Sequence, residues 1–213
     1  MLAMRRFKQE TLSRYDGTIY TDEETYDSYD ISIECIVRDN FTVENLRRIK
    51  EVFKIGKGKL VFSHKPDLEY DVTLTNALRF EEMIKHVGGC ILSFKVEPFS
   101  YLKSGKQEIK LSKGTNTITN LGNYKSFPIF RVEGASSNFY ITINDKPMIF
   151  QISAESNVYI DIEREDVYGE RGENYNSGMS LESDFVPLSE GKNSIKCEGS
   201  FNNIYITPNW REL

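Results

Sequence analysis

The residues of this 213-residue chain best suited to metal or nucleophilic chemistry are two histidines and three cysteines, and their spacing supports little of it. His86 precedes Cys90 by four, which would put two ligands on one helical face. Gly88-Gly89 intervenes and no third ligand is near, whereas zinc takes at least three protein ligands. His64, in "FSHKPD", stands beside a turn and reads as a surface imidazole. Cys35, Cys90 and Cys197 each lie in a stretch that alternates like a strand, so buried reduced thiols are expected. No CxxC spacing exists for a zinc ribbon or a thioredoxin-like site, and the cysteine usage suits synthesis in a reducing cytosol. No Gly-rich phosphate loop and no GxSxG elbow occurs. Acidic pairs abound in "TDEETYDSYD" and "IDIERED". A glycosidase dyad leaves no local signature, so a hydrolase stays open beside the simpler reading of a solvated face. No catalytic residue, metal ligand or cofactor site is assigned, and the chemistry is that of a protein that is not an enzyme.

The elements that would hold such residues are mostly strands. Hydrophobic residues make up 39% of the chain, enough for a core, and charged residues 28%. No run approaches the roughly 18 apolar residues of a membrane span, and "MLAMRRFKQE" lacks the apolar stretch of a cleaved leader. The net charge is −5 with no basic block, so a strong sequence-general grip on nucleic acid is not expected. In "DISIECIVRD", Ile31, Ile33, Cys35 and Val37 share one face at a period of two. The next segment reads as a helix: Thr42 caps it, Val43, Leu46, Ile49, Val52 and Phe53 form its apolar stripe, and Gly56 closes it. Arg47, Arg48, Lys50 and Glu51 lie on the opposite face. A strand, a Pro66-Asp67 turn and a second strand follow, and then a strand with Cys90, Leu92, Phe94 and Val96 on one face.

The polar stretch "KSGKQ" marks the expected domain boundary, giving domains of 1–103 and 104–213. Beyond it the chain shows only short strands between Gly, Asn, Asp and Pro signals, the pattern of a β-sandwich. Phe139, Ile141 and Ile143, then Met148, Phe150 and Ile152, alternate around Asn144-Asp145-Lys146-Pro147 and predict a hairpin. The segment 164–184 reads as one long polar loop, a length that usually signals function or disorder. The only tryptophan, Trp210, follows a final strand at Ile204–Thr207 that Pro208 stops. It is expected to fold over the sandwich as a lid, with an exposed aromatic platform as the rival.

Several segments resemble, in order, those of the distal tail proteins of long-tailed phages and prophages of Gram-positive bacteria. They are "SRYDGTIYTDEETYDSYDISIECIV", "GKLVFSHKPDLEYDVTL" and "ILSFKVEPFSY", then "NLGNYKSFPIFRVEG", "VYIDIERE", "GKNSIKCEG" and the terminal Trp-Arg. Ser13-Arg14-Tyr15-Asp16-Gly17 departs from the family's Gly-Arg-Asp-Gly turn. The family has a further N-terminal segment before that turn, and this chain begins almost at it. The start is therefore expected to be short, or a first strand missing.

The resemblance implies a mainly β protein. Its first domain would be a small β-barrel or sandwich with one packed helix, and its second a galectin-like β-sandwich. The first would assemble as a homohexameric ring at the tail tip, the baseplate hub. It would join the tail tube protein to a tail-associated lysin or fibre protein, receive a receptor-binding protein, and let DNA through in transit. The location would be the virion, without membrane insertion. Asp22, Glu23, Glu24 and Asp27 would lie near the channel or a ring contact, against the plainer reading of a solvated loop. The alternative function is a carbohydrate-binding module for host cell-wall glycan, with Tyr168, Tyr175 and Trp210 as contacts for a ligand or partner.

Overall fold

The computed structural model describes the chain apart from residues 1–2, 12, 15, 37–43, 45–46, 49–50, 52–55 and 76–88, and without the side chains of 89 and 90. It divides into two compact units, Met1–Ser100 with Leu213, and Tyr101–Glu212. Both are built from strands, as the alternation predicts.

The first unit holds β1 (Arg5–Glu10), β2 (Ile19–Tyr26), β3 (Tyr29–Ile36), β4 (Lys57–Phe62), β5 (Lys65–Leu74) and most of β6 (Gly89–Leu102). β4, β5 and β6 are neighbours in that order, and β3 pairs with β6. The register sets Ile31 against Phe94 and Ile33 against Leu92. These side chains pack on Val72, Leu74 and Val96, so the period-two reading holds for Ile31, Ile33 and Cys35 and for Leu92, Phe94 and Val96; Val37 and the Cys90 side chain lie outside the described residues. The turn between β4 and β5 differs from expectation. Phe62 pairs with Lys65, so Ser63 and the exposed His64 make the turn, and Pro66-Asp67 lies inside β5. The register jumps from Leu60↔Tyr70 to Phe62↔Lys65, leaving residues 66–69 opposite Val61 alone. Proline has no N–H for a ladder and is tolerated at such a bulge. The apolar stripe of the predicted helix and its Thr42 cap lie outside the described residues, as does His86. On its polar side Glu44, Arg47, Arg48 and Glu51 are helical and exposed, with Arg47–Glu51 and Arg48–Glu44 pairs at 3.7 and 4.0 Å.

The second unit is a sandwich of β7 (Ile109–Leu111), β8 (Gly114–Asn120), β9 (Ile129–Glu133), β10 (Ser136–Ile143), β11 (Lys146–Ser153), β12 (Val158–Asp161), β13 (Asp166–Gly169), β14 (Gly191–Gly199) and β15 (Asn203–Thr207), followed by the short β16 (Arg211–Glu212), which belongs to neither of its sheets. One sheet runs β11-β10-β14-β8, the other β13-β12-β9-β15-β7. Their inner faces bury Phe139, Ile141, Phe150 and Ile195 against Phe130, Val132, Ile160 and Ile204, with the Phe139 and Phe150 rings stacked at 4.9 Å. Cys197 is buried here, and desolvation pushes its thiol up to about 12. The β10–β11 hairpin turns on Asn144 and Asp145 alone, at φ 48° and 66°, the left-handed pair that a two-residue turn matched to strand twist requires. Pro147 sits on the edge strand of that sheet, where a missing N–H does least harm. Segment 164–184 is not a plain loop: it contains β13 and a 3-10 turn at Asn176–Gly178. The alternation of "DVYG" is too short to be noticed among charged neighbours.

The chain end is held as a strap. Leu102 N–H donates to the Trp210 carbonyl at 2.9 Å, and Asn209 N–H to the Gly105 carbonyl at 2.8 Å. Trp210 is 7% exposed and belongs to the core. Burying an indole removes roughly 150–250 Å² from water, worth about 4–6 kcal/mol. Its Nε1–H has no acceptor among the described residues, a loss of about 1–3 kcal/mol that the burial exceeds. Arg211 is buried beside it, donating from Nε to the Lys125 carbonyl at 2.7 Å and lying over the Phe127 ring at 4.3 Å. Burial lowers the Arg211 pKa, and the tyrosines and Glu163 around it act in the opposite direction. The strap fits because Gly105 and Gly122 leave room: a Cβ on Gly105 would stand 2.5 Å from Trp210 N, and one on Gly122 would strike the Arg211 carbonyl.

Trp210→Ala should therefore cost about 3–5 kcal/mol, and Gly122→Ala about 1–3 kcal/mol by overpacking, in the unfolding of the second unit. Because Trp210 is the only tryptophan, its emission reports the strap in the native chain and in Gly122→Ala, and far-UV circular dichroism follows the unfolding of Trp210→Ala. A blue-shifted maximum shielded from iodide is the expected spectrum, and a water-like maximum open to iodide is the result that contradicts the strap.

Candidate functional site

Two surfaces of the molecule are built from side chains that the cores do not use. The first is the β1–β2 ribbon. Phe7 pairs with Asp22 and Gln9 with Tyr20, so Phe7 and Tyr20 stand diagonally on one face. They are 51% and 61% exposed, and no residue of β1 is buried. An isolated two-stranded ribbon is at best marginally stable in water. At its base, Asp27 N–H donates to the Met4 carbonyl at 2.9 Å, and Tyr26 meets Phe99 edge-on at 5.6 Å.

The acidic residues singled out in the sequence lie on this ribbon. Asp22, Glu23 and Glu24 belong to β2 and Asp27 follows it; the expected loop is a strand. Thr, Glu and Asp alternate without an apolar face there, so the period-two signal is silent. Asp22 pairs with Arg5 at 2.5 Å and Asp27 with Arg6 at 2.7 Å. The Glu24 N–H, with Arg5, holds the Asp22 carboxyl below its ordinary range. Two of the four negative charges are thus matched by cations of the neighbouring strand.

The second surface is the outer face of the five-stranded sheet. Four strands carry a polar or aromatic residue between inward apolar ones: Arg131 in "FRV", Tyr159 in "VYI", Tyr168 in "VYG" and Tyr205 in "IYI". The registers Tyr168↔Tyr159, Tyr159↔Arg131, Arg131↔Tyr205 and Tyr205↔Lys110 bring them into one row across all five strands. Tyr159 and Tyr168 stack at 5.4 Å with 13° between their planes. The Arg131 guanidinium lies over Tyr205 at 4.1 Å. Arg131, 18% exposed, donates from Nε and Nη2 to Glu108 at 2.8 Å each and from Nη1 to Glu133, which also accepts from Asn203 at 2.8 Å. The Arg131 hydrogen bonds hold Glu108 below its ordinary range; for Glu133 the Asn203 bond is the first cause and Arg131 the second. The same pairs push the Arg131 pKa up. Such a row offers fixed hydrogen-bonding groups and aromatic edges, and no nucleophile. Among the described residues no group of three or more His, Cys, Asp or Glu could hold a metal ion.

The three aromatics proposed from sequence as contacts are not brought together. Tyr168 faces outward in this row. Tyr175 packs on the inner side, where a Cβ on Gly169 would meet its ring at 3.0 Å, and its N–H donates to the Val167 carbonyl at 2.8 Å. Trp210 is in the core, so its indole offers no platform. Alternation explains the separation: Tyr168 and Tyr175 lie opposite Asn174 and Val167 respectively, on successive and therefore opposed positions of the pleat. Arg131, Tyr159 and Tyr205 escaped the sequence reading because each strand supplies only one of them. The repeated polar residue at the strand centre was the available signal.

Residues 121–212 match the family model of the siphovirus-type tail component, C-terminal domain, named for SPP1 Dit. No curated protein matches the chain. Among solved structures, the chain is similar to the SPP1 Dit (gp 19.1) protein, described as a paradigm of the hub adsorption apparatus in Gram-positive infecting phages. That likeness has a TM-score of 0.63 at 15% identity and covers 97% of this chain and 88% of the other. The family named from the sequence is the one these comparisons return, and the β-sandwich fold it implies is the fold observed.

The Arg131 network fixes a pH dependence. Glu108 and Glu133 have folded pKa values below the ordinary 4.5, so their contribution is present above that value and is lost as pH falls through the lower folded values. The second unit should therefore lose stability below about pH 4.5. Arg131→Met should flatten that acid limb, which urea titrations between neutral and acid pH would measure; an unchanged limb contradicts the assignment.

Proposed function

We propose that this chain is a distal tail protein, a structural component of the hub at a phage tail tip. Six copies close into a ring through the first domain, 1–103, and the galectin-like second domain, 104–213, lies outside it. The ring joins the tail tube protein to the tail-associated lysin or fibre protein, receives a receptor-binding protein, and passes DNA in transit. Its place is the virion. The observation that carries this reading is the likeness along 97% of the chain to the SPP1 hub protein, together with the tail-component match over 121–212.

Physical features support it. Cyclic symmetry needs a self-complementary or head-to-tail surface, and the bare face of the β1–β2 ribbon, with Phe7 and Tyr20, is apolar surface that a neighbouring copy would cover. A conduit must not retain its cargo, and a chain of net charge −5 without a basic block meets that requirement. In this reading Asp22, Glu23, Glu24 and Asp27 stand near the channel or a ring contact, their charge halved by Arg5 and Arg6.

Light scattering and negative-stain images of the purified full chain test the proposal. Hexamers, single or stacked in pairs, are the expected species. Phe7→Asp with Tyr20→Asp should weaken the ring by about tenfold or more, the scale of one lost hot spot. A chain monomeric at every concentration, and absent as a ring from reconstituted tails, overturns it.

A further inference from the structure

We infer that the outer face around Tyr168, on the edge strand β13, is a subsite for one neutral hexopyranose ring of a glycan. This goes beyond the hub role and does not depend on ring formation.

The Tyr168 ring is fixed on one side by Tyr159, stacked at 5.4 Å. On its other side the row continues to Asn174, joined to it by an isolated bridge. Asn174 is short and exposed, and its Oδ1 is turned back to accept from Asn176 N–H at 2.9 Å. The second ring face is therefore bordered by a small polar side chain and not by a third ring. The apolar C–H face of a pyranose is the complement of such a surface, since binding sites pair an aromatic wall with a few placed polar groups.

Those polar groups flank the ring. Asp166 opens β13 on the same face of the pleat as Tyr168, and Glu170 follows the strand's last residue, Gly169. Each carboxylate is oriented by a neutral amide. Asn176 Nδ2 donates to Asp166 Oδ1 at 2.8 Å, and Asn157 Nδ2 donates to Glu170 Oε1. One oxygen of each remains to accept from sugar hydroxyls. Asp161 and Asp166 act on Tyr168 in one sense, and Arg164, 3.6 Å from the Asp161 carboxylate, acts in the other; the Asp166 and Glu170 carboxylates themselves disfavour phosphorylated or carboxylated sugars.

Saturation-transfer difference NMR, which reads ligand protons and tolerates a large assembly, tests this with the full chain. The probes are the methyl glycosides of glucose, galactose and N-acetylglucosamine, with glycerol phosphate and acetyl-lysine amide as controls. At least one glycoside should show saturable transfer to its ring C–H protons, with dissociation constants in the millimolar range. Tyr168→Ala should weaken it by about tenfold, Tyr168→Phe should preserve it, and Tyr205→Ala should leave it unchanged. Trp210 emission reports whether each variant is folded. Absence of transfer from all three glycosides overturns the inference. So does Tyr168-dependent transfer from acetyl-lysine amide alone, which would mark a site for a protein partner's cation. Rings on the microscope grid without glycoside transfer would reject this site and leave the hub reading standing.

Discussion

Successive side chains of a strand point to opposite faces, and in the second unit that constraint determines both what is buried and what is presented. Phe130 and Val132 must enter the core, so Arg131 must leave it; Val158 and Ile160 enter, so Tyr159 leaves. Four strands obeying the same rule in matched register convert isolated residues into one row. The register is set by the inward apolar residues, because a one-residue slip would turn every one of them to water. The outward row therefore inherits its alignment from the core, at no separate expense of order.

Arg131 shows what that alignment permits. A lone surface ion pair is worth little, at about 0–1 kcal/mol, because two flexible side chains must be held in one geometry. Here strand pairing already sets the donor and its acceptors at fixed spacing, and the pair with Glu108 is bidentate. Tyr205 beneath the guanidinium limits its motion further. The network thus acts as a clamp across β9, β15 and the approach to β7, in a region where the pleat alone would leave three side chains free.

The sequence was informative where apolar periodicity ran for several residues. β3, β10, β11 and β15 follow their alternation, and Ile204 and Ile206 point inward ahead of the buried Trp210. It was silent where a strand lacks an apolar face, as in β2, or is only a few residues long, as in β13. It misled at Pro66-Asp67, whose turn chemistry marks a bulge. The candidate face was largely illegible for a different reason. Its members are far apart in the chain, and pairing order among short strands is a tertiary property that no local window contains. Tyr168 could be named in advance, but Tyr159, Arg131 and Tyr205 acquire meaning only when the sheet order is known.

The buried thiol has a consequence for durability. A thiol reacts with oxidants and disulfides as its thiolate, and with a pKa near 12 Cys197 holds only about one part in ten thousand of that form at pH 8. It is also closed off between two sheets. Its oxidation is thereby limited by the opening of the sandwich and not by the redox state outside. A protein made among reducing thiols and later carried into air would keep this sulfur unchanged for as long as the second unit stays folded, and the unfolding rate of that unit becomes its shelf life.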